Sequence, residues 1–227
     1  MSKDRGTIHN WLAEPEAVRL LGEYGIAYPD HGVAESAEGA ASIAGRIGYP
    51  VVLKVVSPDA AHKSDVGGVA LGIQDAAGLA QAYEGIVQSV RSHAAEATIA
   101  GMMVCKQAPP GLEVIVGGLQ DLMFGPALMF GLGGIFAEVL KDVTFRIVPI
   151  ERVDAEGMIQ EIQGYPLLTG IRGHQGYDVA ALVDLLLAVS RLMVEQPQIE
   201  ELDLNPVRVY NKGLMALDAR VLLKSPE

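Results

Sequence analysis

The sequence predicts an α+β protein built as two lobes. Three observations carry that expectation. The first hundred residues mix amphipathic helical stretches with short β-branched runs, the next fifty read as successive strands separated by short turns, and "QAPPG" (107 to 111) punctuates the change between them. Strands with helices segregated beside them describe α+β lobes rather than an alternating parallel sheet.

In chain order, "EPEAVRLLGEYGI" (14 to 26) spaces Val18, Leu21 and Tyr24 for one helical face and carries Gly25 at its end. "SAEGAASIAGRIGYP" (36 to 50) repeats the pattern from Ser36 and stops at Gly48 and Pro50. "PVVLKVV" (50 to 56) is β-branched and bounded by turn residues, so it reads as a strand, and "VALGI" (69 to 73) as a second. A helix is expected from Ala76 to about Ala97. Strands are expected in "GMMVCKQ" (101 to 107), "LEVIVGGL" (112 to 119), "GPALMFGLGG" (125 to 134) and "TFRIVPI" (144 to 150), then helices over about 151 to 163 and 177 to 195. The last run, 199 to 219, reads as a hairpin turning through Asn211, Lys212 and Gly213. There is no internal repeat and no low-complexity linker.

Composition narrows the function. A net charge of −11 and a pI near 4.9 argue against broad electrostatic binding to nucleic acid or an anionic membrane, so a polyanionic ligand has to be met by local cations. The single Cys105 excludes an intramolecular disulfide framework and a cysteine-based zinc site. With no signal-peptide pattern and no long apolar segment, a reduced cytoplasmic setting is expected.

Four groups of residues stand out. Lys54, flanked by Val51, Val52, Leu53, Val55 and Val56, either lies on the solvent face of an edge strand or meets a negative partner, since burying an ammonium alone is costly. A phosphate group is one such partner. Gly131, Gly133 and Gly134 in "FGLGG" would let backbone N–H groups approach a phosphate, or would serve a tight turn or bulge; neither a Walker A motif nor a GxGxxG fingerprint is present. Asp203 and Asn205 are two apart and share a strand face, with Asp218 across the hairpin. Together they offer oxygen donors suited to Mg2+, or are ordinary acids at strand ends. His62, in the loop "DAAHKSD", is either a surface histidine or a nucleophile toward a phosphoryl group, with Lys63, Ser64 and Asp65 to orient it and Gly67 and Gly68 to let the loop bend.

The segments "YPVVLKVVSPDAAHKSDVGGVALGI", "GLEVIVG", "FGPALMFGLGGIFAEVLKDVTFRIVPI", "LLTGIRG" and "ELDLNPV" resemble, in order and over nearly the whole chain, the β subunit of the ADP-forming acetyl-CoA synthetases. That resemblance implies an ATP-grasp fold, with a first lobe over 1–107 and a second over 108–227 holding ATP or ADP between them. It implies that Lys54 contacts the nucleotide phosphates, Glu113 the ribose, and Asn205 with Asp218 the Mg2+, supported by Asp203. It also implies that His62 is transiently phosphorylated, receiving the phosphoryl group from a partner α subunit and delivering it to ADP. Arg146, in the strand beside the glycine loop, is expected to add a second fixed cation there or to form a structural salt bridge. Lys141, Asp142 and Arg172 are candidates for the rim.

One departure from the pattern concerns residues 105 to 107. Where relatives usually carry an acidic residue in a Gln-Glu-Met-like triplet, this chain has Cys105, Lys106 and Gln107, so an acceptor for the nucleoside can be supplied there by backbone carbonyls. No CoA-binding Rossmann module is recognisable, which implies a separate α subunit. Two other readings are a nucleotide-sensing module without turnover and a carboxylate–amine ligase. The set of Lys54, His62 and Asp218 argues against the first, and "HKSDVGG" against the second.

Overall fold

The computed structural model describes residues 10–57, 63, 65–134, 142–170 and 175–225. Its contacts divide the chain into two units. One comprises Ala13–Arg19 and Ala27–Pro110; the other takes in Leu20–Ile26, the chain from Gly111 onward and the first strand.

The first unit is a four-stranded antiparallel sheet in the order β2-β5-β3-β4, formed by β2 (His31–Ala34), β3 (Val51–Val56), β4 (Val69–Ile73) and β5 (Gly101–Lys106). Helices α2 (Ala37–Ile47) and α3 (Ala76–His93) supply its core, in which Ala40, Ala44, Leu79, Ile86 and Val90 meet Val51, Leu53 and Val55 of β3 with Met102 and Val104 of β5. Both helices start at side-chain caps: Ser36 accepts from the Gly39 amide and Asp75 from the Gly78 amide. Alternation along β3 therefore turns Val52, Lys54 and Val56 to the face opposite α2 and α3.

The second unit is a seven-stranded antiparallel sheet, β1-β11-β9-β6-β7-β8 with β10 also paired to β9. Its strands are β1 (Asn10–Trp11), β6 (Leu112–Asp121), β7 (Gly125–Leu132), β8 (Val143–Ile147), β9 (Ile199–Val209), β10 (Leu214–Ala216) and β11 (Arg220–Leu223). Among the described residues its helices include α4 (Arg152–Glu161), α5 (Tyr165–Thr169) and α6 (Val179–Glu195). Val114, Val116, Leu128, Phe130, Leu202 and Leu204 are buried with Met158, Leu182, Leu186 and Val189 in its core. Asp178 caps α6 through the Ala181 amide and also accepts from the Gly213 amide, which ties that helix to the β9–β10 turn.

Several elements differ from the sequence reading. The expected first lobe ran unbroken over residues 1–107, whereas β1 pairs with β11 (Asn10 opposite Leu223) and so belongs to the larger sheet. The helix α1 (Glu14–Glu23) is likewise divided between the units at Arg19 and Leu20. β1, β2 and α5 were not expected; each is five residues or shorter, too brief to show a period. The final hairpin turns at Gly213 as expected, but the returning strand breaks after Ala216 and resumes at Arg220.

Candidate functional site

In the first unit the site begins with Lys54. β3 lies between β4 and β5, so Lys54 is opposite Val69 on one side and Met103 on the other. The edge-strand alternative fails because the lysine is interior to the sheet and only 8% exposed. Its Nζ donates to Glu14 Oε1 at 2.6 Å and to the Tyr28 hydroxyl at 2.9 Å, while that hydroxyl donates to the same carboxylate oxygen at 2.6 Å. Lys63 Nζ lies 3.1 Å from the other oxygen, Glu14 Oε2. Glu14, on the first turn of α1, is 3% exposed. A buried ammonium is tolerated here because a carboxylate and a hydroxyl replace its lost water.

His62 lies outside the described residues, as do Ser64, Lys141 and Arg172. The end of its loop is described, and there the two glycines meet separate demands. Gly67 has φ +64°, and a Cβ on Gly68 would fall 2.5 Å from Val55 Cγ1 and 2.9 Å from the Lys63 carbonyl oxygen. The Gly68 amide donates to that carbonyl and its own carbonyl accepts from Val55 N, so the loop is stitched back onto the lysine strand.

At the departing triplet, Cys105 is buried, Lys106 donates to the carbonyls of Gly48 and Tyr49, and Gln107 Oε1 accepts from the Gly72 amide. Lys106 thus satisfies carbonyls where α2 ends, and the favourable pole of that helix adds to the bond.

In the second unit, Glu113 on β6 stands directly opposite Arg208 on β9, and the two form an ion pair. The glycine loop starts against the same residue. Gly133 N donates to the Glu113 carbonyl at 2.8 Å, and a Cβ on Gly133 would lie 3.1 Å from the Glu113 carbonyl carbon. Gly134 has φ +60° and its Cβ position is 3.8 Å from Glu113 Oε2. Gly131, opposite Val143, could not carry a Cβ without meeting the Asp142 carbonyl oxygen at 2.7 Å. The three glycines have three different reasons, and two of them bring the loop backbone to Glu113, some twenty residues away in sequence.

Arg146 on β8 pairs with Glu161 of α4 and donates to the Phe145 carbonyl. The bond to Glu161 raises its pKa further above the usual arginine value. Asp142 is buried and accepts from the amides of Gln163 and Gly164, which fixes the turn before α5.

Asp203 and Asn205 share one face of β9, and Asp203 lies 4.0 Å from Arg220. β10 aligns Ala216 with Val207 and β11 aligns Arg220 with Asp203; continuing either register brings Asp218 opposite Asn205. Asp218 therefore sits in the break between two short strands, not within one as the sequence suggested. Among the described residues no cluster of three or more His, Cys, Asp or Glu side chains could hold a metal by itself. An amide oxygen and a carboxylate across a strand break fit a hard cation that completes its shell with water and phosphate oxygens.

Sequence reasoning missed Glu14, Tyr28 and Arg208. Each acts through a partner at least 26 residues away, and nothing in the local pattern marks it. The only hint was charge balance, since Lys54 required an acid from somewhere.

Residues 4–223 match the ATP-grasp domain family. The chain is 46% identical to subunit beta of the ADP-forming acetate–CoA ligase I of Pyrococcus furiosus, over 93% of this chain and 91% of that one. The dinucleotide-forming acetyl-coenzyme A synthetase 1 of Ca. Korarchaeum cryptofilum, solved with coenzyme A, Ca-AMPCP and HgCl+, superposes with a TM-score of 0.92 at 45% identity, covering 95% of this chain and 94% of that one. A further structure of that enzyme, with coenzyme A and Mg-AMPPCP and its phosphohistidine segment pointing towards the nucleotide binding site, gives 0.82 at 42% identity over 95% and 93% of the two chains. A match over more than nine-tenths of both chains, with the family's domain spanning residues 4–223 and so the elements that carry Lys54, Glu113, the glycines and Asn205, places this protein in the ATP-grasp family with the β subunits of ADP-forming acetate–CoA ligases.

Proposed function

We propose that the chain is the nucleotide-binding β subunit of an ADP-forming acyl-CoA synthetase, which converts acyl-CoA, ADP and phosphate into a carboxylic acid, CoA and ATP. The observation that carries this reading is the near full-length likeness to a protein that is itself a separate β subunit. The remaining chemistry falls to an α subunit that binds CoA. A cytoplasmic setting is inferred from the single Cys105, which allows no intramolecular disulfide framework.

Phosphoryl transfer gains most from positioning and charge neutralisation. Lys54 supplies a fixed ammonium on a rigid interior strand. Glu113 offers a carboxylate to the ribose hydroxyls, and the glycine loop, tied to Glu113 through the Gly133 amide, lets a phosphate approach at Gly131, Gly133 and Gly134 where no Cβ intrudes. Asn205 and Asp218, with Asp203 beside them, would hold Mg2+, whose contribution when bound is to neutralise charge on the phosphates.

His62 is the relay. Acyl-CoA and phosphate give an acyl phosphate and CoA on the α subunit, and a histidine there takes the phosphoryl group as the carboxylate leaves. The neutral His62 imidazole then forms a new N–P bond as the old one breaks, and an ADP oxygen finally displaces it to give ATP. The test is label transfer from γ-labelled ATP to the chain together with its α subunit, with peptide mapping. Acid-labile label on the His62 peptide, absent from His62→Ala, is the expected result; label retained by that variant would remove the relay role.

A further inference from the structure

We propose that Glu14 is the positioning residue that keeps the Lys54 ammonium both charged and aimed, so that nucleotide affinity holds its value across the alkaline range. The proposal rests on the reading of Lys54 as a phosphate-binding cation. Its own basis is the closed triangle of Lys54 Nζ, the Tyr28 hydroxyl and Glu14 Oε1, with sides of 2.6, 2.9 and 2.6 Å, and Lys63 on the second carboxylate oxygen at 3.1 Å.

Three features argue for more than a structural ion pair. First, the carboxylate is shared between two lysines, Lys54 on Oε1 and Lys63 on Oε2, where a structural ion pair needs only one. Second, Tyr28 accepts from the ammonium and donates to the carboxylate, which holds Nζ in one place on the sheet face away from α2 and α3. Third, Glu14 reaches both the strand lysine and the residue that follows His62 in sequence, so one carboxylate sets the position of two cations in the segment that carries the relay histidine.

Removing only the charge separates this role from packing. In Glu14→Gln the side chain keeps its size, but two ammonium groups face each other in a buried setting with no carboxylate between them. Desolvation and like-charge repulsion then both favour the neutral amine, so the pKa of Lys54 falls. Affinity for a phosphate group must therefore drop as pH rises. Among the described residues, the other titratable groups beside Lys54 include Tyr28 from the segment before β2, His31 of β2 set edge-on to the Tyr28 ring, and Lys63 from the loop after β3. Its strand neighbours Val69 and Met103 do not titrate. These groups are common to wild type and variant, so a difference between the two profiles belongs to Glu14.

The experiment is calorimetric titration of the full chain with Mg–ADP between pH 7 and 9, on wild type, Glu14→Gln and Lys54→Met, with thermal melts to verify folding. Wild-type affinity should stay within about twofold, and that of Glu14→Gln should fall about tenfold. Parallel profiles for wild type and Glu14→Gln, with Lys54→Met weakened, would overturn the positioning role alone. Undiminished affinity in Lys54→Met would overturn the underlying reading of the lysine instead. If Glu14→Gln fails to fold, Glu14→Asp replaces it, its carboxylate drawn back by one methylene. A falling limb below pH 9 then supports the proposal, and a flat profile overturns it.

Discussion

The amide of Gly133 donates to the carbonyl of Glu113 at 2.8 Å, and no side-chain carbon fits at Gly133 without pressing on that same carbonyl group. Backbone and carboxylate of one residue thus meet the glycine loop and Arg208 at once. Gly133→Ala is expected to separate the loop from β6, because backbone atoms 3.1 Å from the new Cβ cannot rotate away as a side chain would. Overpacking of this kind costs about 1–3 kcal/mol, and Mg–ADP affinity should fall with it. Paired thermal melts and calorimetry would decide; an unchanged melting temperature together with unchanged affinity removes Gly133 from the site.

Asp218→Asn is expected to raise the magnesium concentration needed for half-maximal activity of the assembled enzyme, since a neutral amide holds a hard cation less well than a carboxylate. Asp203→Asn should shift that midpoint less, because Arg220 already stands near Asp203. Equal midpoints for Asp218→Asn and wild type in a magnesium titration would exclude Asp218 as a ligand.

Arg146→Gln should cost less than about 1 kcal/mol, because its partner Glu161 is half exposed and surface ion pairs contribute little. With its guanidinium committed to Glu161 and the Phe145 carbonyl, Mg–ADP affinity should stay within about twofold of wild type. A larger loss of affinity would show the guanidinium turning to the nucleotide, the other alternative that the sequence offered.

Asp178→Ala removes the α6 cap and the anchor of the β9–β10 turn together, an expected loss of about 1–2 kcal/mol at neutral pH. The amide of Gly213, and then that of Ala181, hold the Asp178 pKa below its ordinary value, and the Lys212 charge assists. Because the folded pKa is depressed, this stability is fully present above the unfolded carboxylate value of about 3.9 and is lost as pH falls through the lower folded value. Chemical denaturation at pH 7 and at pH 3 should therefore show wild type and variant converging in acid. A constant gap across that range would assign the effect to packing.

Much of this protein was determined by local sequence. Ser36 and Asp75 announce helix starts because their side chains bond amides three residues on, and Val51 to Val56 make a strand wherever that strand is placed. The spacing of Asp203 and Asn205 likewise sets their common face without reference to any neighbour. Tertiary structure alone decided the rest, and the reason is distance along the chain. Whether Lys54 met water or a counter-charge depended on β3 lying inside its sheet and on Glu14, forty residues earlier. Asn205 faces Asp218 only because β10 and β11 keep one register across their break, and a register is a property of two strands, which neither carries alone.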